Sequence, residues 1–204
     1  MSLAPGAFER TDAAAAEAVA VAAPPARRRR ARLRPWRAAW ELLHDLSVAV
    51  LFCFFLITFV AQAFRVQGTS MEPLLRDGDR IVVNKFIYRF QPIERGDVVV
   101  FWYPRDPSVS FIKRVVALPG DTVEMRQGRL LVDGREVPEP YLAEGFRDTD
   151  TLAPTSVSPG QYFVLGDHRR SSNDSRSWGE VPEKYIYGRA VFRFWPTGQL
   201  GAIR

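Results

Sequence analysis

The chain of 204 residues holds one cysteine, two histidines and three lysines. A single cysteine, Cys53, excludes an intrachain disulfide and a cysteine-ligated metal cluster. It lies within an apolar run and reads as a small buried apolar residue, not as a nucleophile. Of the two histidines, His44 precedes that run and His168 lies far beyond it. Any Ser-His arrangement in the C-terminal part therefore rests on His168. No G-x-S-x-G surrounds Ser70, so a strand-to-helix nucleophile elbow is not supported. After residue 65 no long amphipathic helix is evident, and no internal repeat is seen.

The basic excess is also thin where nucleic acid would need it. Net charge is +5, but seven arginines fall between Arg27 and Arg37. A nucleic-acid surface calls for basic residues spread over a folded face with aromatic stacking residues. An arginine run beside an apolar segment fits the cytoplasmic flank of a membrane helix. From Leu46 to Phe64 there are 19 residues without a charge. At 1.5 Å per residue they span about 28 Å, close to a hydrocarbon core. Trp36 and Trp40 sit where an aromatic belt belongs. The expected organisation is a disordered basic cytoplasmic tail over 1–35, a transmembrane anchor with its interfacial flank over 36–64, and an extracytoplasmic β-rich domain over 65–204. The alternatives are a buried helix of a soluble protein and a cleaved secretory signal. The run ends in Ala61-Gln62-Ala63, an A-x-A pattern, but it is longer than a cleavable apolar region of about 7–15 residues. An uncleaved anchor is therefore expected, with Ala61-Gln62-Ala63 protected as helical backbone in the bilayer.

Beyond Arg65, short runs rich in Val, Ile, Phe and Tyr alternate with turn dipeptides such as Asp77-Gly78, Pro119-Gly120 and Asp133-Gly134. This spacing predicts a mainly β fold with hairpins. "RLLVDGREV" is the clearest hairpin, with Asp133-Gly134 in its turn. Residues 138–158 read as a loop or extension.

Two residues in this region raise chemistry. Ser70, in "VQGTSMEPLLRDGDR", follows the apolar run closely; by position alone it is an ordinary turn serine. Lys113 lies in "SFIKRVVALPGD", inside an apolar strand. Strand alternation puts Phe111, Lys113 and Val115 on one face and Ile112, Arg114 and Val116 on the other. If the lysine face is buried, desolvation lowers the amine's pKa. Lowering it from roughly 10.4 toward neutral costs about 4 kcal/mol. The alternative is a lysine that snorkels its ammonium to the surface.

Taken in order, "GTSMEP", "FIKRVVALPGD" and "GDHRRSSNDSRSWG" resemble the boxes of bacterial type I signal peptidases, membrane-bound Ser-Lys enzymes that cut secretory signal peptides. The resemblance covers about residues 46–200. It implies a Ser-Lys signal-peptidase-like β-sheet or barrel catalytic domain behind a single N-terminal transmembrane helix. It implies Ser70 as nucleophile and Lys113 as general base, with Ser172 orienting the amine. Asp174 and Arg176 are then an ion pair near the site, joined by Arg114. The Ser70 N–H would donate to the oxyanion. Gly68 stands where some members carry a second, hydroxyl donor, His168 where asparagine is common, and Ser171 precedes Ser172. Met71, Phe86, Phe111 and Ile112 are candidate walls for the small side chains of an A-x-A-type site. No metal or cofactor is implied. The implied partners are the signal peptides of exported preproteins and the lipid bilayer, with no nucleic acid. The location is the cytoplasmic membrane, single-pass, with the N-terminus inside. Phe101-Trp102-Tyr103 or Phe194-Trp195 would face the lipid. Only 44 residues separate Asp121 from Gly166, so a β extension around 122–160 should be small. The rival readings are a self-cleaving repressor-type Ser-Lys protease and a membrane-tethered β-domain that binds peptides without catalysis.

Overall fold

The computed structural model describes residues 35–55 and 61–204, which divide into two units, with the boundary between Leu43 and His44. The tail expected over 1–35 lies outside the described residues except at its last position. A helix, α1, runs Pro35–Phe55 and holds the first part of the apolar run. Residues 56–60 lie outside the described residues. Among the described residues, no helix is long and apolar enough to cross a membrane. Cys53 is exposed on α1, among the other exposed apolar side chains of that helix.

The end of the apolar run differs from the helical backbone expected of it. Ala61–Arg65 form β1, paired antiparallel with β2, Arg80–Asn84; Ala61, Gln62 and Ala63 stand opposite Asn84, Val83 and Val82. The backbone groups here find partners on a neighbouring strand, and Phe64 packs against the core beneath. Tertiary pairing has overridden the apolar continuity of the sequence.

The other strands of the large sheet are β3 (Val98–Tyr103), β4 (Asp106–Ala117), β9 (Gln161–Leu165), β10 (Val181–Pro182), β11 (Ile186–Trp195) and β12 (Gly201–Ala202). The order is β1-β2-β11-β3-β4-β9-β10, with β12 on β11. A second sheet, β7-β6-β5-β8, is built from β5 (Thr122–Arg126), β6 (Arg129–Val132), β7 (Arg135–Glu136) and β8 (Leu152–Ser156). In its β6–β7 hairpin, Val132 faces Arg135, and Asp133 and Gly134 have φ of +52° and +74°. A two-residue turn of this hand needs positive φ at both positions, which Asp-Gly tolerates.

The sequence "VVVF" at 98–101 is a continuous apolar run because both faces of β3 are covered. Val98 and Val100 enter one core with Met71, Leu75 and Ile81, whereas Val99 and Phe101 enter a second with Val115, Tyr162 and Trp178. In β9 the alternation joins the sheets: Tyr162 and Val164 face the second core, while Phe163 and Leu165 face a third with Val123, Met125 and Leu130. The short segment after β9 is thereby anchored on two sides, and it carries the polar loop that ends in α2, Ser175–Trp178.

Candidate active site

Ser70 sits in the loop between β1 and β2. The loop is closed at its base by Val66 N–H to the Asp79 carbonyl (2.8 Å) and Gly78 N–H to the Val66 carbonyl (3.0 Å). Gly68, at φ +85°, turns the chain and donates its N–H to Asp77 Oδ1 at 2.8 Å. Met71 is only 1% exposed and plugs into the first core. A buried neighbour on one side and a clamped base hold the serine in place.

Lys113 projects from β4, 4% exposed. Its Nζ is 2.7 Å from Ser70 Oγ and 5.3 Å from the centre of the Phe111 ring. Burial pushes the amine's pKa down to about 8, against the opposing pull of the Asp174 and Asp167 carboxylates. The lysine therefore does not snorkel. Beside the pair lies a cavity of about 510 Å³ lined by Phe64, Val100, Ser110, Phe111 and Ile112 together with Ser70 and Lys113. Of the four proposed wall residues, Phe111 and Ile112 line it. Phe86 lines a different cavity, of about 540 Å³, with Lys85 and Tyr187. Met71 belongs to the core, because its side chain serves to seat the loop and not to face the groove.

The polar loop 166–176 closes over the pair from the other side. The His168 N–H donates to the Ser70 carbonyl at 2.9 Å. The His168 ring lies 3.3 Å from the Thr69 carbonyl and 4.0 Å from Glu72, while Ser70 Oγ is paired with Lys113. Gly166 is a contact point: a Cβ there would meet the Ser172 side chain and lie 2.5 Å from the Ser70 carbonyl. Ser172 Oγ is buried and makes no hydrogen bond among the described residues. Asp174 caps α2 and pairs with Arg176 at 2.8 Å.

Arg114 departs from the expected arrangement. It pairs with Asp167, through Nε at 2.9 Å and Nη2 at 2.7 Å, instead of joining Asp174 and Arg176. Its Nη1 donates to the Gly96 carbonyl at 2.8 Å. The physical reason is the register: Arg114 stands opposite Leu165 on β9, which brings Asp167 within reach of a buried guanidinium. Asp167, Gly166 and Glu139, which binds Arg169 in the buried interior, were not singled out from the sequence. A fully buried arginine on a central strand was the signal available, because it demands a carboxylate nearby.

Residues 39–195 fit the family model described as "Signal peptidase, peptidase S26". The chain belongs to this signal peptidase family. A "Probable signal peptidase I-1" of Synechocystis is 42% identical over 179 residues, covering 83% of this chain and 90% of the relative. A "Signal peptidase I" of Bacillus licheniformis is 35% identical over 170 residues, covering 79% of this chain and 91% of the relative. A crystal structure of a signal peptidase I from Enterococcus faecalis V583 is 34% identical, covers 48% of this chain and 97% of that chain, and aligns with a TM-score of 0.44.

Proposed function

We propose that this signal peptidase family member cuts the signal peptides of exported preproteins with Ser70 as nucleophile and Lys113 as general base. The observation that carries the assignment is the 2.7 Å contact between Ser70 Oγ and a buried amine whose pKa is lowered to about 8. A neutral amine at that distance takes the serine proton as Oγ attacks the peptide carbonyl. The resulting ammonium gives the proton to the leaving amine, and the same base then activates water against the acyl-enzyme. Among the described residues the Ser70 N–H meets no acceptor, which suits it to stabilise the oxyanion. Ser172, with its unpartnered buried Oγ, is assigned to orient the Lys113 amine. Asp174 and Arg176 hold the loop that carries it. An extended peptide enters the groove along Phe64, Phe111 and Ile112, whose apolar walls favour small side chains at an A-x-A-type site.

The membrane placement belongs to the same reading. The part of the apolar run ahead of β1 anchors the chain, the arginine cluster keeps its N-terminus inside, and the β-rich part, β1 included, lies outside. The exposed apolar side chains of α1, among them Leu46, Val50 and Phe54, support a lipid environment for it. Trp102 and Trp195 are exposed on the β-rich part and Phe101 is not, so the first two are the aromatic residues assigned to meet lipid.

The test is preprotein cleavage by the purified chain and four variants. Ser70→Ala and Lys113→Ala should each lose several orders of magnitude. Lys113→Arg should fail too, since guanidinium stays protonated. His168→Ala should retain most activity. A dead histidine variant beside an active lysine variant would replace the Ser-Lys assignment with a Ser-His one.

A further inference from the structure

Residues 139–150, between the hairpin of the small sheet and β8, touch the catalytic loop 166–176 at almost every long side chain it has. Glu139 and Arg169 form a buried pair, 6% and 3% exposed, in which Arg169 Nη1 donates to Glu139 Oε2 at 3.1 Å. Tyr141 donates its hydroxyl to Glu139 Oε1 at 2.6 Å, and its ring lies 3.9 Å from the Arg114 guanidinium. Phe146 meets the His168 ring edge-on at 4.8 Å. Arg170 Nε donates to the Arg147 carbonyl at 2.5 Å. Arg176 binds Asp148, and reaches Asp150 at 3.1 Å. The strap is itself fixed at its far end, where the Gly128 N–H donates to the Asp150 carbonyl at 2.9 Å.

These contacts converge on the catalytic groups. Arg169, held by Glu139, donates through Nε to the Gly166 carbonyl at 3.1 Å. Gly166 is the residue that abuts both the Ser70 carbonyl and the Ser172 side chain. Arg176, held by Asp148, donates to the Arg169 carbonyl at 2.8 Å. A chain of charge-assisted bonds thus runs from the strap to the backbone behind the nucleophile. Such bonds are short and directional, which makes them suited to fixing a position.

We propose that Glu139 is a positioning residue for the proteolytic reaction, which acts through Arg169 to hold Gly166, and with it Ser70 and Ser172, in reactive alignment. The small sheet is then the frame that carries the strap. The proposal rests on Ser70 being the nucleophile. It also accounts for a buried carboxylate, Glu139, that lies outside the cavity and touches no group of the proton relay.

Preprotein cleavage is measured with the whole chain in detergent micelles, for wild type, Ser70→Ala, Glu139→Gln and Tyr141→Phe, at a temperature where circular dichroism shows each to be folded. Tyr141→Phe keeps the ring on Arg114 and removes only the bond to Glu139, so it stays informative should Glu139→Gln not fold. The positioning role predicts that kcat per folded molecule falls about 10–100-fold in Glu139→Gln and several-fold in Tyr141→Phe, with KM within about 2-fold of wild type. A ground-state structural role alone would lower the melting temperature and leave kcat per folded molecule unchanged, and that result overturns the proposal. An active Ser70→Ala would instead overturn the nucleophile assignment, whatever Glu139 does. An inactive Ser70→Ala beside wild-type kcat in both strap variants would overturn the strap alone.

Discussion

Lys113 carries two opposed demands. Its amine must be buried to be a base near neutral pH, and the buried ammonium is costly. Below about pH 8 the amine is protonated in both folded and unfolded chains, so the full cost of burial is present. As pH rises from about 8 to 10.5, the folded chain loses its proton first and the cost is relieved. Lys113→Met should therefore stabilise the fold at pH 6 by about 2–3 kcal/mol, with a gain that shrinks toward pH 10.5. Urea unfolding at the two pH values measures this; equal gains at both would mean that desolvation is not the cause. With Lys113 as the proposed base, the ascending limb of kcat/KM in wild type should fall near pH 8, and a limb that does not follow this pKa would count against that role. Strand alternation made this lysine legible in the sequence as a candidate, since an apolar neighbour on each side left only burial or snorkelling. The choice between the two came from Ser70 and Phe111 closing over the amine.

At the scale of elements, the site is two loops pressed together over one strand. β4 supplies Lys113 and Arg114, the β1–β2 loop supplies Ser70, and the loop before α2 supplies Gly166, Ser172 and Asp174. Their closeness depends on the lack of a side chain at Gly166, whose backbone is not in the left-handed region. Gly166→Ala is thus permitted conformationally but places a Cβ 2.5 Å from the Ser70 carbonyl. Backbone has to move to accommodate it. Cleavage should fall about 100-fold with the circular dichroism spectrum retained. Near-wild-type turnover would show that the two loops have slack. The glycine was visible in the sequence only as part of a motif, because a close approach between segments so far apart in the chain has no local signature. Asp133-Gly134 is the contrasting case: its turn is set by two adjacent residues, and the hairpin appears where the dipeptide stands.

For the whole molecule, the open question in the sequence is how the apolar run divides. Leu46–Phe55 are helical and Ala61–Phe64 are in β1. A-x-A at 61–63 is thus extended and paired with β2 along its length, so its resistance to cutting would come from a partner strand and not from helical backbone. If the chain is anchored with its N-terminus inside, protease added to spheroplasts should degrade the β-rich part, and the N-terminal peptide should survive until the membrane is opened. Protection of the β-rich part in sealed spheroplasts would reverse the topology.

The sequence alone determined the mainly β character of the C-terminal part, the hairpin at Asp133-Gly134 and the order of three motifs that leads to the signal peptidase family. Each depends on neighbours in the chain: alternation, turn chemistry, or residue types at short spacing. Tertiary structure decided which carboxylate neutralises Arg114, that Met71 is a core plug and not a groove wall, that β1 takes the end of the apolar run, and that Glu139 reaches Arg169. Those are contacts between segments distant in sequence, formed because strand register brings them together and because a buried charge must find its partner wherever the fold supplies one.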